Sequence, residues 1–156
     1  MTFQISGLPV SSYQELFDLD DVALAKIQAE RRIATAFPGA PCRISLEDAQ
    51  VGEELILVNH AHLLETSPYQ SRHAIYVRKG VDQADLKVDE IPDFFKHRDI
   101  SVRAFDANHI MVNACVVPKN GDVKSAVDAF FENEKVDYIH FHFAAPGCFA
   151  AKAIRN

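Results

Sequence analysis

The chain has no tryptophan, only three cysteines and two methionines, and no long apolar run. Cys42, Cys115 and Cys148 are odd in number and widely spaced, which excludes a fully paired disulfide scaffold and fits reduced thiols in a cytoplasm. No stretch approaches the roughly 18 consecutive apolar residues of a membrane-spanning helix. The opening Met1-Thr2-Phe3-Gln4-Ile5-Ser6-Gly7 lacks the basic start and apolar run of an export signal. Basic residues are outnumbered, 16 against 22 acidic ones, and form no cluster. The net charge of -6 therefore predicts that neither nucleic acid nor a membrane surface is a partner. The expected location is the cytoplasm.

What is present fits an ordinary globular domain. The 156 residues, 48% hydrophobic and 24% charged, predict a single domain over 1–156 that buries roughly two thirds of its unfolded surface. Ser12-Tyr13-Gln14-Glu15 has the form of a capping box and predicts a short helix over 12–18. Asp20 or Asp21 then caps a second helix running toward Glu30-Arg31-Arg32. Strand-like patterning follows at 42–46, 54–60, 73–78, 100–106 and 109–117. The acidic segment 79–93 reads as a surface loop leading into a turn at Asp93-Phe94-Phe95, and Asn108 is the expected positive-φ residue of the turn after Phe105. After Asp122, the spacing of Val123, Ala126, Val127, Phe130 and Phe131 predicts an amphipathic helix over 122–134. The expected fold class is α+β: a mainly antiparallel sheet covered on one face by that helix, with short N-terminal helices at an edge.

Candidate chemistry concentrates between His140 and Phe149. On a strand, His140 and His142 share one face while Ile139, Phe141 and Phe143 share the other. Cys148 has two readings. If the chain is helical from Gly147, the thiol sits near a helix N-terminus and His140 or His142 can serve as its base, which makes these three the catalytic candidates. If residues 138–143 and 148–154 form a hairpin, Cys148 lies opposite Phe143 and is a core residue.

A second His-x-His unit, His60-Ala61-His62, raises the alternative of a transition-metal site built from His60, His62, His140 and His142. Paired histidines on a solvated sheet face are the simpler reading. Around the Ser67-Pro68 turn, His62, Tyr69 and Arg72 gather polar and aromatic groups, and Arg43 or Arg72 can clamp a small anion bidentately. Arg103 shares a strand face with Ser101 and Phe105, and a two-residue turn would set it beside Val112. It calls for an acidic partner, such as Asp106 or a residue of 82–90, or a bound anion.

Five blocks occur in order: Pro41-Cys42-Arg43-Ile44-Ser45-Leu46-Glu47-Asp48-Ala49, Gly52-Glu53-Glu54, Ser67-Pro68-Tyr69, Ser101-Val102-Arg103-Ala104-Phe105-Asp106 and Gly147-Cys148-Phe149. Together they resemble the bacterial domain-of-unknown-function family 1203 over nearly the whole chain. The resemblance implies a stand-alone bacterial domain with Cys42, Arg43, His62, Ser67, Pro68, Tyr69, Arg103, Asp106, Gly147 and Cys148 at motif positions. It implies no activity. The chain departs from the family pattern at His60, where an aromatic residue is usual, and at Ala107-Asn108, where glycine is common. The first departure counts against a family-wide site built from both His-x-His pairs.

The functional expectation is a small-ligand-binding protein or enzyme. Its site would be lined by Arg43, His62, Tyr69, Arg72, Arg103, His140, His142 and Cys148, with a small anion as ligand and no cofactor identified. The alternatives are the histidine metal site and a noncatalytic structural or interaction domain, dimeric through an exposed sheet edge.

Overall fold

A computed structural model describes all 156 residues. It contains two five-stranded sheets rather than the single expected sheet. The first joins β1 (Phe3–Ser6), β10 (Phe149–Arg155), β9 (Tyr138–Phe143), β7 (Ile100–Phe105) and β8 (Met111–Val117) in that order, and every pairing is antiparallel. The second joins β2 (Ala29–Ile33), β5 (Glu54–Leu63), β6 (Ser71–Arg78), β3 (Pro41–Cys42) and β4 (Glu47–Asp48). Its one parallel contact sets Cys42 beside Tyr76.

The N-terminal expectations need the largest correction. Ser12 caps no helix: residues Val10–Ser12 and Gln14–Asp18 form two 3-10 turns without a side-chain cap. Asp20 does cap, accepting from the Ala23 amide at 2.8 Å, but α1 (Asp21–Lys26) lasts only six residues. Gln28 then turns the chain at a φ of 57°, and the charged segment read as the helix end becomes β2. Its pairing with β5, Ala29 opposite Val58 through Ile33 opposite Glu54, supplies backbone partners that override a weak helical preference.

The expected strand over 42–46 is also broken. Leu46 at a φ of 53° turns the chain, so that only β3 and β4 pair around the turn. The turn after Phe105 has its positive φ at His109, 61°, rather than at Asn108. It is longer than two residues, so Arg103 pairs with Ala114 rather than lying beside Val112.

One face of the first sheet carries Ile100, Val102, Ala104, Ile139, Phe141, Phe143 and Ala151. These share a buried cluster with Val123, Val127 and Phe131 of α2 (Val123–Phe131), whose Asp122 cap accepts from the Ser125 amide at 3.0 Å. A smaller cluster packs Leu24 of α1 with Cys42, Ile56 and Ile75 of the second sheet. The far end of β5 reaches past this cluster to meet the polar face of the first sheet.

Candidate functional site

Strand register assembles the site. Arg103 on β7 lies opposite His140 on β9, which lies opposite Lys152 on β10. The next row, Ser101, His142 and Phe149, crosses the same three strands. From the other sheet comes His62, whose ring stacks on Phe149 with centroids 5.5 Å apart and an interplanar angle of 9°. Its ring also meets those of His142 at 4.8 Å and His140 at 6.0 Å. His60 sits 5.7 Å from Phe149, and its Nδ1 is 2.8 Å from the Tyr13 hydroxyl. The two His-x-His units, far apart in sequence, therefore converge across the sheet interface.

Three bulges shape this meeting. On β5, Ala61 pairs with Arg72 and Leu63 with Ser71, which leaves His62 as the extra residue. On β8 the extra residue is Val112, and on β10 it is Ala150. Bulges bend strands and re-aim side chains, and they recur beside functional sites. Here they frame a cavity of about 230 Å³ whose polar side is His62, His140, His142 and Arg103 and whose apolar side includes Tyr69, Phe105 and Met111. A second cavity of about 280 Å³ lies on the other side of His62 and His140 and is lined by His60, Glu65, Tyr138 and Lys152.

The imidazoles are neutral at pH 7. Burial pushes His60 and His62 down to about 4, with Arg43 adding to the effect at His60, and His60 and Arg103 at His62. His142 falls to about 3 and His140 to about 2, again mainly through burial. His142 Nδ1 lies 2.9 Å from the Gly147 carbonyl oxygen, which can only accept, so Nδ1 carries the proton. Its Nε2 is then a bare acceptor. His62 Nδ1 and His140 Nδ1 are buried without a hydrogen-bond partner.

Arg103 has no acidic partner. Its Nε donates to Ser101 Oγ at 3.0 Å, and no carboxylate forms an ion pair with it. Asp106, the expected partner, instead accepts from the amides of Asn108 and Ile110 in its own turn. Burial lowers the pKa of Arg103. Residues 39–155 match the family model described as Protein of unknown function (DUF1203). The chain belongs to that family. No curated protein and no solved structure matches it. Every residue of the 230 Å³ cavity lies inside the DUF1203 segment, whereas β1, α1 and β2 precede it.

Within this DUF1203 domain, Arg43 and Cys148 stand apart from the cavity. The Phe143 amide donates to the Cys148 carbonyl at 3.0 Å and the Gly147 amide to the Phe143 carbonyl at 2.8 Å, which closes a hairpin rather than a helix. His142 faces Phe149 across it, so Cys148 points to the opposite face and joins the apolar cluster. The thiol is in contact with Arg43, not with an imidazole: Arg43 Nη2 donates to Sγ at 3.0 Å. Arg43 is 1% exposed and donates further to the carbonyls of Phe149, at 2.7 Å, and Pro41. Arg72 is exposed and donates to Asn59 Oδ1 at 2.6 Å.

Sequence reasoning missed Phe149, the plate on which His62 rests, and Lys152. Both follow from register once the hairpin is known, since each lies directly opposite one of the two β9 histidines. The four histidines gather, but no group of three or more His, Cys, Asp or Glu side chains could hold a metal ion.

Proposed function

We propose that this protein binds a small anionic ligand in the cavity between Arg103 and the imidazoles of His62, His140 and His142. The observation that carries this reading is Arg103 itself, a partly buried guanidinium that lines a cavity and has no carboxylate partner. Withdrawing a cation from water without a counter-charge is costly, and an anion accepting its free terminal N–H groups offsets that cost. Neutral imidazoles suit the same role. The rings of His62 and His140, each with an unpartnered Nδ1, can donate hydrogen bonds without a permanent charge, and a bound anion eases their protonation.

The reading assigns binding to Tyr69, Arg103 and the three histidines, and a scaffold role to Arg43 and Cys148. Calorimetric titration with small carboxylates and inorganic phosphate tests it. Arg103→Gln is expected to weaken binding by about 10- to 100-fold, the worth of one charge-assisted pair. Cys148→Ala is expected to leave it unchanged. Equal affinities in the Arg103 variant and the unaltered protein would refute the assignment.

A further inference from the structure

We infer that the ligand is a small 2-hydroxy acid with an apolar side chain, an inference that rests on the anion-binding reading above. Among the polar groups that line the cavity, two are of opposite kind. Arg103 supplies donors, because its Nε is fixed on Ser101 Oγ and its terminal nitrogens have no carboxylate. His142 supplies an acceptor, because the Gly147 carbonyl takes its Nδ1 proton and no protein group bonds its Nε2. The two residues lie on adjacent strands, Ser101 being opposite His142 and Arg103 the next residue on that face.

A plain carboxylate satisfies only half of this pair. Its oxygens accept from the guanidinium, but any oxygen reaching His142 sets a lone pair against the bare Nε2. A hydroxyl on the carbon next to the carboxylate removes the conflict. It donates to Nε2 while the carboxylate accepts from Arg103, so both protein groups are satisfied by adjacent atoms of one ligand. Sites that hydrogen-bond a ligand hydroxyl discriminate strongly against the analogue lacking it, because the buried group is then left unpaired.

The rest of the lining specifies the ligand's body. Leu63, Pro68, Tyr69, Phe105 and Met111 supply the apolar part of the lining, with Gln70 and Ser71 among them. The Tyr69 ring packs edge-on against Phe105 at 5.9 Å. A volume of about 230 Å³ has room for a carboxylate head and one ring-sized group.

Mandelate and phenylacetate differ only in this hydroxyl and serve as the probe pair. In titration calorimetry, one mandelate enantiomer is expected to bind at least about tenfold more tightly than phenylacetate. His142→Phe is expected to remove the difference between the two acids, so that mandelate binds no more tightly than phenylacetate in that variant. In the unaltered protein, the His142 Nε2 nitrogen resonance is expected to move on titration with mandelate and not with phenylacetate. This measurement stands even if the variant fails to fold. Equal affinities for the two acids, or an Nε2 resonance that ignores mandelate, would overturn the hydroxy-acid inference and leave the anion pocket intact. Failure of both acids and of inorganic phosphate to bind, or phenylacetate binding that survives Arg103→Gln, would overturn both readings.

Discussion

Arg43 and Arg103 are both drawn out of water without a carboxylate, and their surroundings separate their roles. Arg43 is enclosed: two carbonyl oxygens and the Cys148 sulfur accept from it, and its guanidinium lies 4.9 Å from the Phe143 ring centroid. Burial holds its pKa down to about 10, although the Cys148 thiol works against that fall. It ties the segment after β3 to the β9–β10 hairpin and so fastens one sheet to the other. Arg43→Ala leaves the Pro41 and Phe149 carbonyls unpaired and is expected to cost about 3 kcal/mol in urea denaturation. Cys148→Ala removes a single weak acceptor and a small buried volume, and about 1 kcal/mol is expected. Arg103 lines a cavity and has no carboxylate partner, so under the anion-binding proposal its replacement is read in affinity rather than in stability.

Among the elements, the β9–β10 hairpin does most to place the site. Its turn needs Gly147 at a φ of 79°, where a non-glycine residue is strained, although a Cβ there would meet no atom within 4 Å. Gly147→Ala is therefore expected to cost about 1–2 kcal/mol through the backbone alone. Because the Gly147 carbonyl also holds His142 Nδ1, the same substitution is expected to weaken mandelate binding more than phenylacetate binding. Paired calorimetry on the variant checks this. The bulge at His62 acts in the same way on β5, setting that ring against Phe149, whereas regular alternation alone accounts for His140 and His142 sharing a face.

Across the whole molecule, the buried neutral histidines link stability to pH. His60 and His62 titrate near 4, His142 near 3 and His140 near 2 in the folded protein, all below the ordinary value of 6.5. Unfolding frees them to protonate, so below pH 6.5 the unfolded chain binds more protons than the folded one. Their contribution to stability is complete above about pH 6.5 and is lost as the pH falls toward the folded values. Near pH 5, unfolding is expected to take up about three to four protons from this group, seen as a lower urea midpoint at pH 5 than at pH 7. His140→Phe is expected to reduce that uptake by about one proton. An unchanged midpoint between the two pH values would contradict the neutral, buried state of the cluster.

Local chemistry determined several features from sequence alone. The Asp122 cap and the apolar stripe after it placed α2, and alternation put His140 and His142 on one face, because helix and strand periods are properties of the chain itself. Motif positions also placed His62, Tyr69 and Arg103 among the site candidates, and these line one cavity. Tertiary structure decided what no local period encodes. It paired the charged 29–33 segment with β5, split the expected single sheet into two, and set the two His-x-His units face to face. It also resolved the segment from His140 to Phe149: the hairpin carries Cys148 to Arg43 on one side of the sheet and leaves the imidazoles facing Arg103 on the other. The physical reason is that side-chain direction along a strand is fixed locally, whereas the partner across a sheet interface depends on register, bulges and the packing of distant strands.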